Sequence, residues 1–450
     1  MKYIVEPAKK IRVCADVDLC VVGGSCTGVF AAVRAARLGL SVAIVEKHNA
    51  FGGVATSGLV NIWHSLSDVD NKEQIIGGLT YETISRLKAS NNITFCPSIS
   101  KAPPYFILNT AELKIELDEL VKENKIKPFL HTYYSGVIEE DKNVTSVIIE
   151  NKDGRSAINA KFFIDATGDG DVARDLNIKS YRHGNVQPPS ACFYLQGNIN
   201  QSDLADIISR HGGEVDLQDD WGWSCQVSNS DLTMRADSHV FNVMCNSADD
   251  LTHSEMEGRR QMRALVTLLK KYGYKSENYN LIASCSQIGI RETVHYETKF
   301  KANEMDLLCG TRYDDAILNG TYRVDIHHSD DNGITFKDLT GEMYTFYGKG
   351  SKKVEGNWRK NLNLDGGYAK YYQTPFDILV GEDYNNFIAV GRMLNADPAA
   401  FGALRVMVNL NQLGEAAGVA ASIALNSGTP LQNIDGKEVR NLLKKGGSAL

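Results

Sequence analysis

Two features near the start of the chain have residue types and spacing suited to chemistry. The run Val22-Gly23-Gly24-Ser25-Cys26-Thr27-Gly28 follows an apolar stretch, and Glu46 lies eighteen positions after Gly28. The run fits G-x-G-x-x-G with Ser25 in place of the second glycine. Glycine at the first position permits a tight turn, a small second residue lets backbone approach a diphosphate, and glycine at the third lets a helix pack closely on its strand. Ser25 stays small and adds a hydroxyl that can face a phosphate. A helix opening here aims unpaired N–H groups and its positive dipole end at an anion. A carboxylate closing the next strand accepts hydrogen bonds from ribose hydroxyls and repels a ribose 2′-phosphate. The pattern predicts a cradle for FAD or NAD, and not for NADP.

The elements that must position these residues are readable around them. Asp18–Val22 is an apolar strand candidate, Gly28–Leu38 an Ala-rich helix ended by Gly39, and Ser41–Val45 a second strand, together one βαβ unit. From Asn109, the spacing of Leu113, Ile115, Leu117, Leu120 and Val121 predicts an amphipathic helix with Thr110 as its cap. Three short strands follow, Tyr133–Glu139, Val144–Glu150 and Arg155–Ile158, with Asp153-Gly154 as the last turn. Tyr134, on the first of them, is a candidate cofactor contact. A further strand, Lys161–Asp165, leads into Ala166-Thr167-Gly168. Between about Gln187 and Gln373 long helical stripes are few apart from roughly Ser254–Tyr272, and from Phe387 the apolar-strand, Ala/Gly-rich-helix style returns. The expected architecture is α/β. It has a Rossmann-like cofactor domain with a parallel sheet and a three-stranded β-meander, built from residues 1–186 and 374–450, and an inserted α+β substrate domain over 187–373.

Four blocks in this order resemble the FAD-dependent oxidoreductases, in particular a bacterial family within the glutathione-reductase-like Rossmann flavoproteins. They are the glycine turn with Glu46-Lys47 and Phe51-Gly52-Gly53-Val54-Ala55-Thr56-Ser57-Gly58-Leu59-Val60, then Phe163 through Asp171, then Ile288-Gly289-Ile290-Arg291-Glu292-Thr293, and finally Ile388 through Arg392 with Phe401 through Met407 and a helix containing Gly414 and Gly418. The resemblance implies FAD and nominates a set of contacts. Gly23, Gly24, Ser25, Cys26, Thr27, Gly28, Glu46, Lys47, Gly52, Gly53, Val54, Ala55 and Thr56 come from the first block. Ala166, Thr167, Gly168, Asp169, Gly391, Arg392, Gly402, Leu404 and Arg405 come from the later ones. It further implies that Arg392 neutralises a phosphate charge and that the helix after Arg405 points its N-terminus at the flavin pyrimidine, where donors stabilise the reduced ring. Gly414 and Gly418 are better read as close helix packing. The chain departs from the commonest family pattern at Ser25, Cys26 and Thr27, where Gly, Pro and Ala are frequent.

A flavin carries the electron chemistry, so the protein must hold a substrate and manage a proton. His64, in Asn61-Ile62-Trp63-His64-Ser65, is a candidate general base or a hydrogen-bonded structural histidine. Arg291 is a candidate anchor for an anionic or carbonyl group, or half of a structural ion pair with Glu292. His327 and Arg405 complete the catalytic candidates. Trp221, Trp223, Tyr371 and Tyr372 are candidate walls of an apolar slot, or core. Hydride transfer to or from a small organic substrate is the expected reaction. A flavin monooxygenase is the nearest rival, though such enzymes usually carry Gly-Asp where this chain has Gly391-Arg392. An FAD-dependent RNA-modifying enzyme and a non-catalytic flavin subunit are the alternatives of other classes.

Composition bounds the rest. The 450 residues, 43% hydrophobic and 23% charged, are enough for two interlocked domains, and the net charge of −7 gives no electrostatic footprint for nucleic acid. No stretch approaches the roughly 20 apolar residues of a membrane span, and a cytoplasmic protein is expected. Nine scattered cysteines without a C-x-x-C pair argue against a disulfide framework or a zinc site. A small-molecule substrate is the expected partner, with homo-oligomerisation left open.

Overall fold

A computed structural model describes residues 2–97, 103–217, 222–274, 278–329, 333–347, 352–364 and 366–450. The first βαβ unit is β1 (Arg12–Val22), α1 (Cys26–Arg37) and β2 (Val42–Val45). The first half of β1 is largely exposed, whereas Leu19–Val22 is buried on both faces, as the unbroken apolar run of a parallel strand requires. After α2 (Thr110–Glu123) come β3 (Lys127–Phe129), β4 (Tyr133–Glu140), β5 (Asn143–Asn151) and β6 (Gly154–Asp165). The sheet runs β3-β2-β1-β6-β5-β4. Its first four strands are parallel and its last three form an antiparallel meander. This is the α/β, Rossmann-like architecture expected.

Two local expectations are corrected. The expected strands Arg155–Ile158 and Lys161–Asp165 are one strand, β6. One edge of β6 pairs with β1 throughout, while its other edge pairs first with β5 and then with Phe387–Ala389 of the far end of the chain. The change of neighbour midway produced the change of pattern. Secondly, α2 is capped by Asn109, whose side chain accepts from the Ala111 and Glu112 amides; Thr110 is already helical and its hydroxyl bonds Tyr194 Oη at 2.6 Å.

Among the described residues the middle of the chain supplies two four-stranded antiparallel sheets. One comprises β7 (Phe193–Gln196), β8 (Trp223–Gln226), β9 (Leu232–Ala236) and β10 (Asn280–Ser284) in the order β8-β9-β7-β10, beside α3 (Ala248–Tyr272). The other is β11 (Val324–His327), β12 (Gly333–Lys337), β13 (Glu342–Tyr347) and β14 (Lys352–Asn357), in chain order. The C-terminal part returns to the first sheet through β15 (Phe387–Ala389), then α4 (Pro398–Leu404) and α5 (Met407–Ser427). Helix α1 is buried from Cys26 to Ala35 because it lies between the sheet and α5. The glycines of α5 make that contact. A Cβ on Gly414 would lie 2.2 Å from Thr27 O, and one on Gly418 2.3 Å from Ala31 O, so the two helices meet backbone to backbone. Buried Arg34 of α1 pairs there with buried Glu415 of α5, which also accepts the Leu79 amide at 2.9 Å.

Candidate functional site

The glycine turn leaves β1 with Gly23 at φ +105°, and a Cβ there would sit 2.3 Å from Ala166 O, so only glycine fits both the conformation and the space. Gly28 is required for packing alone, its Cβ position falling 1.9 Å from Gly23 O and 3.1 Å from Ala166 Cβ. The Ser25 hydroxyl, expected to face a phosphate, is the N-cap of α1 and accepts from the Gly28 amide at 3.4 Å. Glu46 directly follows β2, with its carboxylate fixed from two sides: Oε2 accepts the Gly24 amide at 2.7 Å and Oε1 the His48 amide at 2.9 Å. Both oxygens keep lone pairs for a further donor.

A cavity of about 470 Å³ opens at the carboxyl ends of β1, β2 and β6, where ligands bind in open parallel sheets. Of the nominated residues, its wall includes Gly23, Ser25, Cys26, Thr27, Glu46, Lys47, Gly52, Gly53, Val54, Tyr134, Ala166, Thr167, Gly168, Gly391, Arg392 and Arg405, together with His64, Arg291 and His327. The remaining nominees stand behind it. The Gly24 amide orients Glu46, Ala55 is buried, and buried Thr56 donates its hydroxyl to Phe51 O at 2.7 Å. Asp169 pairs with Arg392 at 2.6 Å, Gly402 packs on the Asp325 backbone, and Leu404 is core. Arg392 is therefore already neutralised by Asp169 and also bonds Gly168 O, which weakens its expected role as a phosphate counter-charge. Tyr134 reaches the cavity with its hydroxyl on Asp175 Oδ2 at 3.0 Å.

At the opposite end of the cavity lies a cluster that the sequence reading found only in part. Asp325 and His327 are alternate residues of β11 and so share a face. Asp325 Oδ2 accepts the Tyr322 hydroxyl at 2.7 Å and lies 3.3 Å from Arg405 Nη2, while His327 Nε2 is 3.3 Å from Asp325 Oδ1. His64 packs its ring on Tyr322 with centroids 4.1 Å apart. Burial, and after it the Arg323 and Arg405 charges, pushes His64 down to about 4 against the pull of Asp325. Burial together with Arg291 likewise holds His327 well below its ordinary value, so both rings are neutral at pH 7. Burial alone would raise the Asp325 carboxyl, but the neighbouring positive charge, chiefly Arg405 once His327 is neutral, keeps it ionised. Burial and Asp325 raise Tyr322, which stays a hydroxyl donor. Arg323, also on the wall, lies over the Phe336 ring at 3.8 Å.

Tyr322, Arg323 and Asp325 were missed. The polar-apolar alternation Asp325-Ile326-His327 is the signal that would have found Asp325. Several buried polar atoms on the cavity wall lack a hydrogen-bond partner: His48 Nε2, Arg405 Nε, Asp325 Oδ1, and both amide atoms of Asn411 in the first turns of α5. Unsatisfied buried groups are rare in folded proteins, and these five atoms line the two ends of one cavity, while six others among the described residues lie away from its wall. That distribution fits a long ligand with polar groups at both ends, such as a dinucleotide.

Arg291 and Glu292 turn to different partners. Arg291 Nη1 donates to Pro188 O at 2.6 Å and to Ser190 Oγ at 2.8 Å. Glu292 Oε1 is 2.5 Å from His183 Nδ1 and 3.0 Å from His295 Nε2, and Oε2 accepts the Gln187 amide. These three side chains hold potential ligand atoms within 4.8 Å of one another. In this structure they bond one another directly, as a hydrogen-bonded cluster next in sequence to Arg291 of the cavity wall. Trp223 reaches the cavity, whereas Tyr372 is core, bonded to Tyr322 O and Ala403 O, and Tyr371 lies under Arg312. Trp221 lies outside the described residues. No helix among the described residues is long and apolar enough to cross a membrane.

A parallel-stranded core, a glycine turn opening on a buried helix and a clamped carboxylate directly after the neighbouring strand define a dinucleotide-binding α/β protein. The chain belongs to the FAD dependent oxidoreductase family, whose model matches residues 18–443, and it is therefore an FAD-dependent enzyme. The choice the glycine turn left between FAD and NAD is thus made for FAD. A curated relative is the dihydrolipoyl dehydrogenase of Trypanosoma brucei brucei, 26% identical over 297 residues, covering 61% of this chain and 57% of that protein's length. Among solved structures, a geranylgeranyl bacteriochlorophyll reductase-like protein from Thermoplasma acidophilum is 13% identical, with a TM-score of 0.49 over 96% of this chain and 82% of its own. The p-nitrophenol 4-monooxygenase of Pseudomonas putida is 10% identical, with a TM-score of 0.47 over 96% of this chain and 86% of its own.

Proposed function

We propose that the enzyme holds FAD along this cavity and moves a hydride equivalent between the flavin and a small organic substrate bound beside His64, Tyr322, Asp325, His327 and Arg405. The observation that carries the reading is the continuity of the cavity from the glycine turn to that cluster. Glu46 takes the adenosine ribose, the α1 N-terminus the diphosphate, and Arg405 with Asn411 at the start of α5 the pyrimidine end. Residues 1–186 and 374–450 hold the cofactor, with His64 and Arg405 reaching from them to the substrate, and 187–373 supply the rest of the substrate wall. When bound, FAD supplies the two-electron chemistry.

The chain's own residues do the rest. Arg405, paired with Asp325 through Nη2, has an unpartnered Nε–H left to donate where negative charge develops. Neutral His64 accepts or donates a hydrogen bond to the substrate without carrying charge into the site. Asp325 and His327 manage the substrate proton, the carboxylate steadying the imidazole as the proton arrives at or leaves Nε2.

Purified protein should show the absorption of bound flavin, and an anaerobic panel of small alcohols, amines, hydroxy acids and enoyl acids should contain a compound that bleaches it. Arg405→Ala should keep FAD and slow that bleaching about 10²- to 10³-fold. Unchanged reduction kinetics would remove Arg405 from the mechanism, and a colourless protein that takes up no added FAD would overturn the whole reading.

A further inference from the structure

A second cavity, of about 200 Å³, lies between α3 and the stretch from Asp237 to Asn242, and its wall includes His239, His253, Glu257, Arg260 and Gln261. It has no wall residue in common with the flavin cavity. His253 and Arg260 are exposed, so this cleft reaches solvent. A hydrogen bond links the two spaces: His239 Nε2, on the cleft side, is 2.8 Å from His327 Nδ1, on the flavin side. Both rings are buried, at 4% and 7% exposure. His239 is held in place by its main-chain oxygen, which accepts from Gln261 Nε2 at 2.9 Å.

We propose that His327 and His239 form a two-histidine proton relay that connects the substrate end of the flavin cavity to water in the second cleft. The inference rests on the reading that the substrate is bound beside His327. The ionised Asp325 carboxylate 3.3 Å away favours the N–H of His327 on Nε2, which leaves Nδ1 bare to accept the His239 Nε2–H. Inward transfer then moves the His327 Nε2 proton into the cavity and the His239 Nε2 proton onto His327 Nδ1. A proton from cleft water replaces the one lost by His239. Outward transfer is the reverse. One proton enters and one leaves, only N–H bonds change, and no electrons are involved. Both rings can begin and end neutral, which suits His327, buried beside Arg291, where an imidazolium is disfavoured. The charged groups facing His327 are Asp325, Arg291 and Arg405, and Asp237 and Glu257 stand with His239 on the cleft wall.

The test uses FAD-loaded full-length protein with ring-¹⁵N histidine. A through-hydrogen-bond coupling between His327 Nδ1 and His239 Nε2 should be seen in the unmodified protein, and its absence would overturn the proposal without any variant. His239→Gln keeps a donor beside His327 but cannot pass a proton. In that variant, with FAD content and melting temperature retained, exchange of the His327 ring proton with water should slow at least ten-fold; unchanged exchange overturns the relay. With the compound that bleaches the flavin, the variant should keep KM and lose about ten-fold or more in reduction rate, restored by added imidazole. An unchanged rate would likewise overturn the relay. If no compound bleaches the flavin, the reading of the reaction fails, while the coupling and exchange measurements still decide the relay.

Discussion

Replacing Glu46 with Gln keeps the shape of the side chain and changes only its charge and one acceptor. In the structure both carboxylate oxygens are occupied by backbone donors, Gly24 N at 2.7 Å and His48 N at 2.9 Å. Glutamine offers a single oxygen, so one of these amides must face an NH₂ group; that costs about 1–3 kcal/mol of stability in the turn. A hydrogen bond to a charged acceptor is worth about 1 kcal/mol more than one to a neutral acceptor, so two ribose hydroxyls lose about 2 kcal/mol between them. At about 1.4 kcal/mol per factor of ten, FAD affinity should fall about 30-fold. Titrating deflavinated protein with FAD and following flavin fluorescence gives the Kd, with circular dichroism to confirm that the fold persists. A variant Kd within about three-fold of the wild-type value would refute the assignment of Glu46 to the ribose and leave it as a brace for the turn.

Two further outcomes are expected. Gly414→Val places carbon where Thr27 O already lies, at 2.2 Å for the Cβ alone, and should destabilise the protein by about 3 kcal/mol through forced separation of α1 and α5; thermal melting at unchanged temperature would contradict that packing. His64 titrates near 4 in the fold against an ordinary 6.5, so the folded state binds fewer protons than the unfolded chain between those values. Its contribution is present above about pH 6.5 and is lost as pH falls towards 4, up to about 3 kcal/mol. Stability curves from pH 7 to 4 should therefore be flatter for His64→Gln than for the wild type, and parallel curves would show that burial of His64 is not what lowers it.

The glycine-turn end of the cavity was more legible in the sequence than the end around Asp325, and the difference has a physical origin. Gly23, Gly28 and Glu46 are dictated by local geometry: a positive φ, a helix touching a strand, a carboxylate one βαβ unit away. Such demands are met within a few tens of residues and leave a pattern. The cluster around Asp325 is assembled from Tyr322 to His327, His64 and Arg405, whose proximity follows from long-range pairing and not from spacing. The pairing of Arg392 escaped the sequence for a related reason. An arginine after a strand reads as a free cation, and only the fold shows Asp169 beside it. The split of β6 into two expected strands shows the same limit, since its second neighbour, Phe387–Ala389, lies more than two hundred residues further along the chain.

The backbone contact between α1 and α5 also bears on the order of events during synthesis. Thr27 and Gly414 are 387 positions apart, so at about 5–20 residues per second the ribosome takes on the order of 20–80 s to supply the second helix after the first. Through that interval the face of α1 destined for α5 has no partner, and its N-terminus, proposed to meet the FAD diphosphate, is not yet braced. Flavin loading is then an event of the finished chain: nascent chains stalled before Gly414 should fail to retain FAD, and holdase chaperones should compete for the same uncovered helix.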